Sequence, residues 1–160
     1  MEASILIKQS PLNLKDTLTV LEHICGVDKN YIFLHQDKIE VDFEAFNNIV
    51  SKIISGMPIQ YALGKWWFFG HEFFLEAPVL IPRVETELLV EQAISIVKDN
   101  MIGFEPFVGS GAVSISLLKY FLNLKMIVSD ISLKACKLTL INAIYHGVED
   151  RIFIINTDLA

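Results

Sequence analysis

The stretch FEPFVGSGAVSIS, Phe104–Ser116, runs from residues suited to a strand, through a small-residue turn, into a helical pattern. In a parallel α/β sheet, ligands sit outside the carboxyl ends of the strands, and the first strand-to-helix turn needs residues without bulk so that backbone can approach them. Gly109, Ser110 and Gly111 meet that need, whereas Phe107 stands where a further glycine would be expected. The helix that follows aims its free N–H groups and positive dipole end at the same place, which favours a carboxylate or a phosphate. The next apolar run, within KMIVSDIS (residues 125–132), leads to Asp130, 19 positions after Gly111. An acidic side chain at that strand end and spacing can accept hydrogen bonds from both ribose hydroxyls. A GSG turn alone occurs in any α/β protein; joined to Asp130 it points to an adenosyl-type cofactor.

Working outward, the pattern alternates. Strands are expected at Met101–Val108, Leu124–Ser129 and Arg151–Asn156, with helices at about Ser110–Phe121 and from Ser132 to His146, the latter ended by Gly147. Unbroken apolar runs such as MIVS and IFII suit strands buried on both faces of a parallel sheet. Upstream, a helix is expected from Arg83, with Thr86 as its cap and Leu88, Leu89, Ala93, Ile94 and Val97 on one face. KWWFFGHEFFLEAPVLIP, residues 65–82, reads as two short strands around a turn at Gly70-His71.

The first 64 residues look helical. Apolar residues recur from Leu12 to Gly26, YIFLHQ suits a short turn of helix, and Asp42 caps a run with Phe43, Phe46, Ile49, Val50, Ile53 and Ile54 on one face before Gly56 and Pro58. The expected fold class is therefore α/β. A small all-helical domain (residues 1–64), suited to partner docking, is followed by a hairpin linker (65–82) and the β-α-β-α-β first half of a Rossmann-like domain (83–160).

Composition narrows the function. The chain has 160 residues, 52% hydrophobic, with 13 Lys+Arg against 19 Asp+Glu, a formal charge of −6. No basic run or basic-aromatic stripe offers itself to nucleic-acid phosphates. No apolar stretch reaches the length of a membrane span, and nothing at the N-terminus resembles a leader. Cys25 and Cys136 are far apart and lack metal-ligand spacing, so they read as core thiols of a cytoplasmic protein. Trp66, Trp67, Phe68, Phe69, Phe73 and Phe74 lack basic neighbours and read as packing between the two domains. His23, His35, His71 and His146 show neither metal spacing nor a partnered nucleophile.

A longer match carries more. Pro58, Tyr61 and Gly64 fit a P-x-x-Y-x-x-G pattern, and Leu80, Ile81, Pro82, Arg83, Glu85, Thr86 and Glu87 fit L-I-P-R-P-E-T-E with Val84 in place of its middle proline. In both, the chain resembles the release factor glutamine methyltransferases of the HemK/PrmC family. The resemblance implies a methyltransferase domain that uses S-adenosylmethionine. Its loop D-x-G-x-G-S-G corresponds to Glu105, Pro106, Phe107, Val108, Gly109, Ser110 and Gly111, with Asp130 at the ribose and Asp158 near the adenine. It further implies that Asn142-Ala143 matches an N-A pair, that Arg83, Glu85 and Glu87 line the active-site side of the linker, and that the partner is a peptide chain release factor methylated on its GGQ glutamine.

From the residues alone, Arg83, Glu85 and Glu87 equally suit the charged first turn of a helix, and Ser110 suits a helix N-cap. Two departures stand against full activity. Phe107 replaces the first loop glycine, where a benzyl group would fill cofactor space or force a backbone geometry that glycine adopts easily. The family's N-P-P-Y motif, which grips the substrate glutamine, is absent from these 160 residues. The expectation is thus a shortened, impaired enzyme, with a non-catalytic protein-binding module as the competing reading and another S-adenosylmethionine-dependent methyltransferase as the weaker one. An incomplete sheet would also leave an edge and an apolar face through which copies can self-associate.

Overall fold

The computed structural model describes residues 1–158. Its first unit, Met1–Leu63, consists of α1 (Ala3–Gln9), α2 (Leu14–Cys25), α3 (Lys29–Leu34), α4 (Phe43–Ile54) and α5 (Ile59–Leu63). Each of the three interior helices begins on a side chain that accepts from a backbone amide of its first turn: Asn13 from Asp16, Asp28 from Asn30 and Tyr31, Asp42 from Ala45. Caps of this kind contribute about 1 kcal/mol each. Gly26 closes α2 in the left-handed conformation at φ 67°, as its place after the periodic run implied. Leu6, Val20, Leu21, Ile32, Phe46 and Val50 are buried in this unit. The sequence reading missed α1 and α5, which at seven and five residues are too short to display a helical period.

The second unit begins at Gly64 and opens with the hairpin β1 (Lys65–Phe68) and β2 (His71–Phe74), paired from Lys65↔Phe74 to Phe68↔His71. Its turn is Phe69-Gly70, one residue earlier than expected, with φ 48° and 72°. Two positive φ values match the twist of the flanking strands. A left-handed phenylalanine needs support, and the Glu87 carboxylate supplies it by accepting from the Phe69 amide at 2.7 Å.

After a short 3-10 turn at Val84–Thr86 comes α6 (Glu87–Ile96). Thr86 makes no side-chain cap. The buried stripe is also rotated from the expected one: Val90 is fully buried, with Ala93, Ile94 and Val97 packed on the core, while Leu88 and Leu89 are exposed. The spacing 90, 93, 94, 97 is the regular one for a single helical face.

The remainder alternates as expected. β3 (Ile102–Pro106), α7 (Ala112–Tyr120), β4 (Lys125–Asp130), α8 (Leu133–His146) and β5 (Ile152–Asn156) form a parallel sheet in the order β3-β4-β5. Ser132 caps α8 through the Ala135 amide, and Gly147 ends it at φ 65°. The core joins the helices to one face of the sheet: Ile115, Leu118 and Ala143 meet Met126, Val128 and Ile152. Phe68 and Phe73, edge to face at 6.2 Å, belong to this same core. Phe69 packs against it as well, while Trp67 is 65% exposed. Across the other face of the sheet Phe104, Ile127 and Phe153 stand in one row by register, and Ile127 and Phe153, with Ile102, Lys125 and Ile155, line an open depression of about 350 Å³.

Candidate functional site

The turn after β3 is built from alternating left-handed residues, Phe107 (φ 59°), Gly109 (φ 59°) and Gly111 (φ 82°). Between them Val108 is buried and its amide donates to the Ser129 carbonyl at 2.9 Å, which keeps the turn in line with β4. Gly111 has two reasons to be glycine: its φ, and the Ile115 and Thr139 side chains, each 2.9 Å from where a Cβ would lie. At Gly109 a Cβ would meet nothing within 4 Å, so backbone there is open to approach. Gly111, and not Ser110, is the N-cap of α7; Ser110 is buried and caps nothing.

Asp130 closes the turn from the end of β4. One carboxylate oxygen accepts from the Gly109 amide at 3.0 Å and the other from the Ser132 amide at 2.9 Å. A carboxylate offers about four lone-pair positions, so both oxygens retain capacity for hydroxyl donors. Thr157 donates its amide to the Asp130 carbonyl at 3.1 Å, which brings the exposed Asp158 to the same edge of the sheet. Loop, Asp130 and Asp158 thus gather where a parallel sheet receives ligands.

Two further groups hold the loop, and the sequence reading gave neither a role. Thr139 donates its hydroxyl to the Gly109 carbonyl at 3.0 Å. Asn142, fully buried, donates to the carbonyls of Ser110 (2.8 Å) and Phe74 (3.1 Å) and accepts from the Phe74 amide (2.8 Å). The loop and the hairpin are therefore stitched through one amide side chain. The available signal was polar residues on the buried stripe of α8, since a buried polar group requires partners.

Below the loop, Glu105 accepts from the Ser114 amide at 3.0 Å and from the Ser114 hydroxyl. Burial pushes its carboxyl up to about 7 from 4.5, against the opposing pull of those bonds.

The linker residues behave differently from one another. Glu87 is committed to the hairpin turn, while Arg83 and Glu85 are exposed. His146 bonds the Glu72 carbonyl at 2.9 Å, and burial lowers its pKa and that of His71. No cluster among the described residues could hold a metal ion.

Phe107 realises the second of the two expected effects. Its backbone is left-handed and its side chain is 73% exposed, so the phenyl ring gains little from burial. A non-glycine in that region costs about 1–2 kcal/mol, partly offset by glycine's greater freedom in the unfolded chain. Phe107→Gly is accordingly expected to stabilise the second unit by up to about 1 kcal/mol in urea unfolding. Destabilisation beyond that size would mean that the ring makes contacts of value.

Three parallel strands with a glycine turn at the first carboxyl end, and helices returning on one face, form a partial Rossmann-like fold. A solved putative transferase from Pyrococcus horikoshii shares this fold, with a TM-score of 0.52 over 59% of this chain and 36% of that one, at 19% identity. Residues 2–64 match the PrmC N-terminal domain family. Over 101 residues, 62% of this chain and 36% of the relative, it is 39% identical to a release factor glutamine methyltransferase of Aquifex aeolicus. Identity to the protein of the same name from Borreliella burgdorferi is 35% over 90% of this chain and 51% of that one. A bifunctional methyltransferase of Rickettsia prowazekii is 31% identical over 87% of this chain and 31% of its own length. Residues 2–64 thus carry a PrmC N-terminal domain, and the chain is similar to release factor glutamine methyltransferases while spanning about a third to a half of the length of these relatives.

Proposed function

We propose that this chain supplies the partner-docking module and the cofactor-loop part of a release factor glutamine methyltransferase. Its cofactor is S-adenosylmethionine and its partner a peptide chain release factor, modified on the GGQ glutamine in the cytoplasm. The observation that carries this reading is the tie between the Gly109 amide and Asp130 at the carboxyl edge of a parallel sheet. It puts an open glycine backbone beside a carboxylate with lone pairs to spare, which fits a ribose and the chain attached to it. Asp130 would take the ribose hydroxyls, Asp158 would lie near the adenine, and Gly109–Gly111 would let backbone close on the cofactor. When bound, the cofactor supplies an electrophilic methyl group; the protein's share of the work is orientation. No helix among the described residues is long and apolar enough to cross a membrane, and both cysteines are free.

Titrating the purified chain with S-adenosylmethionine in a calorimeter tests this. The expected Kd is on the order of micromolar, weakened at least about tenfold in Asp130→Ala. A second reading, a protein-binding module without cofactor, is favoured by the left-handed Phe107 in the loop. A folded chain that gives no binding heat would select it. In either reading the open Phe104, Ile127 and Phe153 face is the surface through which copies would self-associate.

A further inference from the structure

Within the first unit, α2 and α3 enclose a groove of about 670 Å³ lined by Leu14, Lys15, Leu18, Lys29, Phe33 and Leu34. Leu14 is 50% exposed and Leu34 75%, although α3 is one short helix held firmly at its start by Asp28. The groove is thus preformed and apolar along its floor.

Its frame is basic in an acidic unit. Residues 1–63 hold five lysines against eight carboxylates, yet the two charged groups lining the groove are both lysines. Neither Lys15 nor Lys29 forms an ion pair among the described residues. The acids closest to them in sequence and fold are already engaged. Asp16 accepts from the Asn13 side chain, Glu22 from the Lys29 backbone amide, and Asp28 from the Asn30 and Tyr31 amides. Two ammonium groups without carboxylate partners therefore flank an apolar slot, the complement of an amphipathic helix with acidic residues beside its apolar stripe.

We infer that the α2–α3 groove is the docking site of the first unit, and that its occupant is an amphipathic, acidic helical segment of a protein partner. The inference rests on reading this unit as the docking module and assigns that module its surface and the chemistry it selects. Apolar anchors at i, i+3 or i+4, and i+7 fill the slot over Leu18 and Phe33, while Asp or Glu on the flanks meets Lys15 and Lys29.

The test pans a phage library of helical 14-residue peptides against the full chain and measures the enriched peptides by fluorescence anisotropy. The expected pool carries three apolar anchors at helical spacing flanked by Asp or Glu. The expected affinity falls about tenfold in the Lys15→Glu, Lys29→Glu double variant and also in Leu34→Ser, an exposed position where substitution leaves the fold intact by circular dichroism. No enrichment, a pool without acidic flanks, or affinity unchanged by charge reversal overturns the inference. Both variants should keep the parent's affinity for S-adenosylmethionine, because that site is built in the second unit. Loss of groove binding with cofactor binding intact, or the reverse, shows which of the two readings has failed.

Discussion

Replacing Asn142 with leucine is expected to lower the unfolding free energy of the second unit by about 4 kcal/mol. Leucine has the same branched shape and number of side-chain heavy atoms as asparagine but is bulkier, so no cavity is made. The loss is that of three hydrogen bonds at a fully buried position, which leaves the Phe74 amide, the Phe74 carbonyl and the Ser110 carbonyl without partners. Each orphaned group costs about 1–3 kcal/mol where water cannot replace the bond. Asn142→Asp is a sharper version, since it keeps an acceptor for the Phe74 amide but sets a carboxylate against two carbonyl oxygens. Both tryptophans lie in β1, so intrinsic fluorescence in a urea titration reports the unit concerned. A loss below about 1 kcal/mol for both variants would show that the hairpin and the loop hold their places without this amide.

The stability of the same unit should fall as pH rises from about 4.5 to about 7, through Glu105. Burial raises its folded-state pKa, so across that window the folded state binds more protons than the unfolded one, and unfolding free energy decreases with pH. Below 4.5 both states are protonated, and above 7 both are ionised, so the contribution flattens outside the window. A rise from 4.5 to about 7 corresponds to about 3 kcal/mol. Glu105→Gln, which can still accept from Ser114, should remove that part of the difference between unfolding at pH 5 and at pH 8. An identical pH dependence in the variant would assign it to other groups.

Much of the second unit was legible because local signals agreed with one another. Ser132 and Gly147 bracket α8 as a cap and a left-handed stop, and unbroken apolar runs named β4 and β5. The loop and Asp130 followed from spacing and strand position.

What escaped depended on tertiary contacts. The Phe69-Gly70 turn is shifted because Glu87, 18 residues on, stabilises a conformation that phenylalanine does not choose alone. The α6 face was misread because Leu88 and Leu89 are as apolar as Val90, and only packing selects the stripe that is buried. Asn142 was singled out only as part of an N-A pair and Thr139 looked like an ordinary helix residue; their work is done on backbone atoms 30 to 68 positions away. Phe107 could be named as anomalous, but its exposure and left-handed backbone came from the structure.

The central claim is that the turn Phe107–Gly111, tied to Asp130, is a cofactor site. The most direct measurement follows the backbone amides of the isotopically labelled chain by NMR as S-adenosylmethionine is added. Saturable shifts are expected at Gly109, Ser110, Gly111 and Ile131, with the first unit unmoved. Amides of the loop that stay in place at millimolar cofactor, in a chain that is otherwise folded, would contradict it.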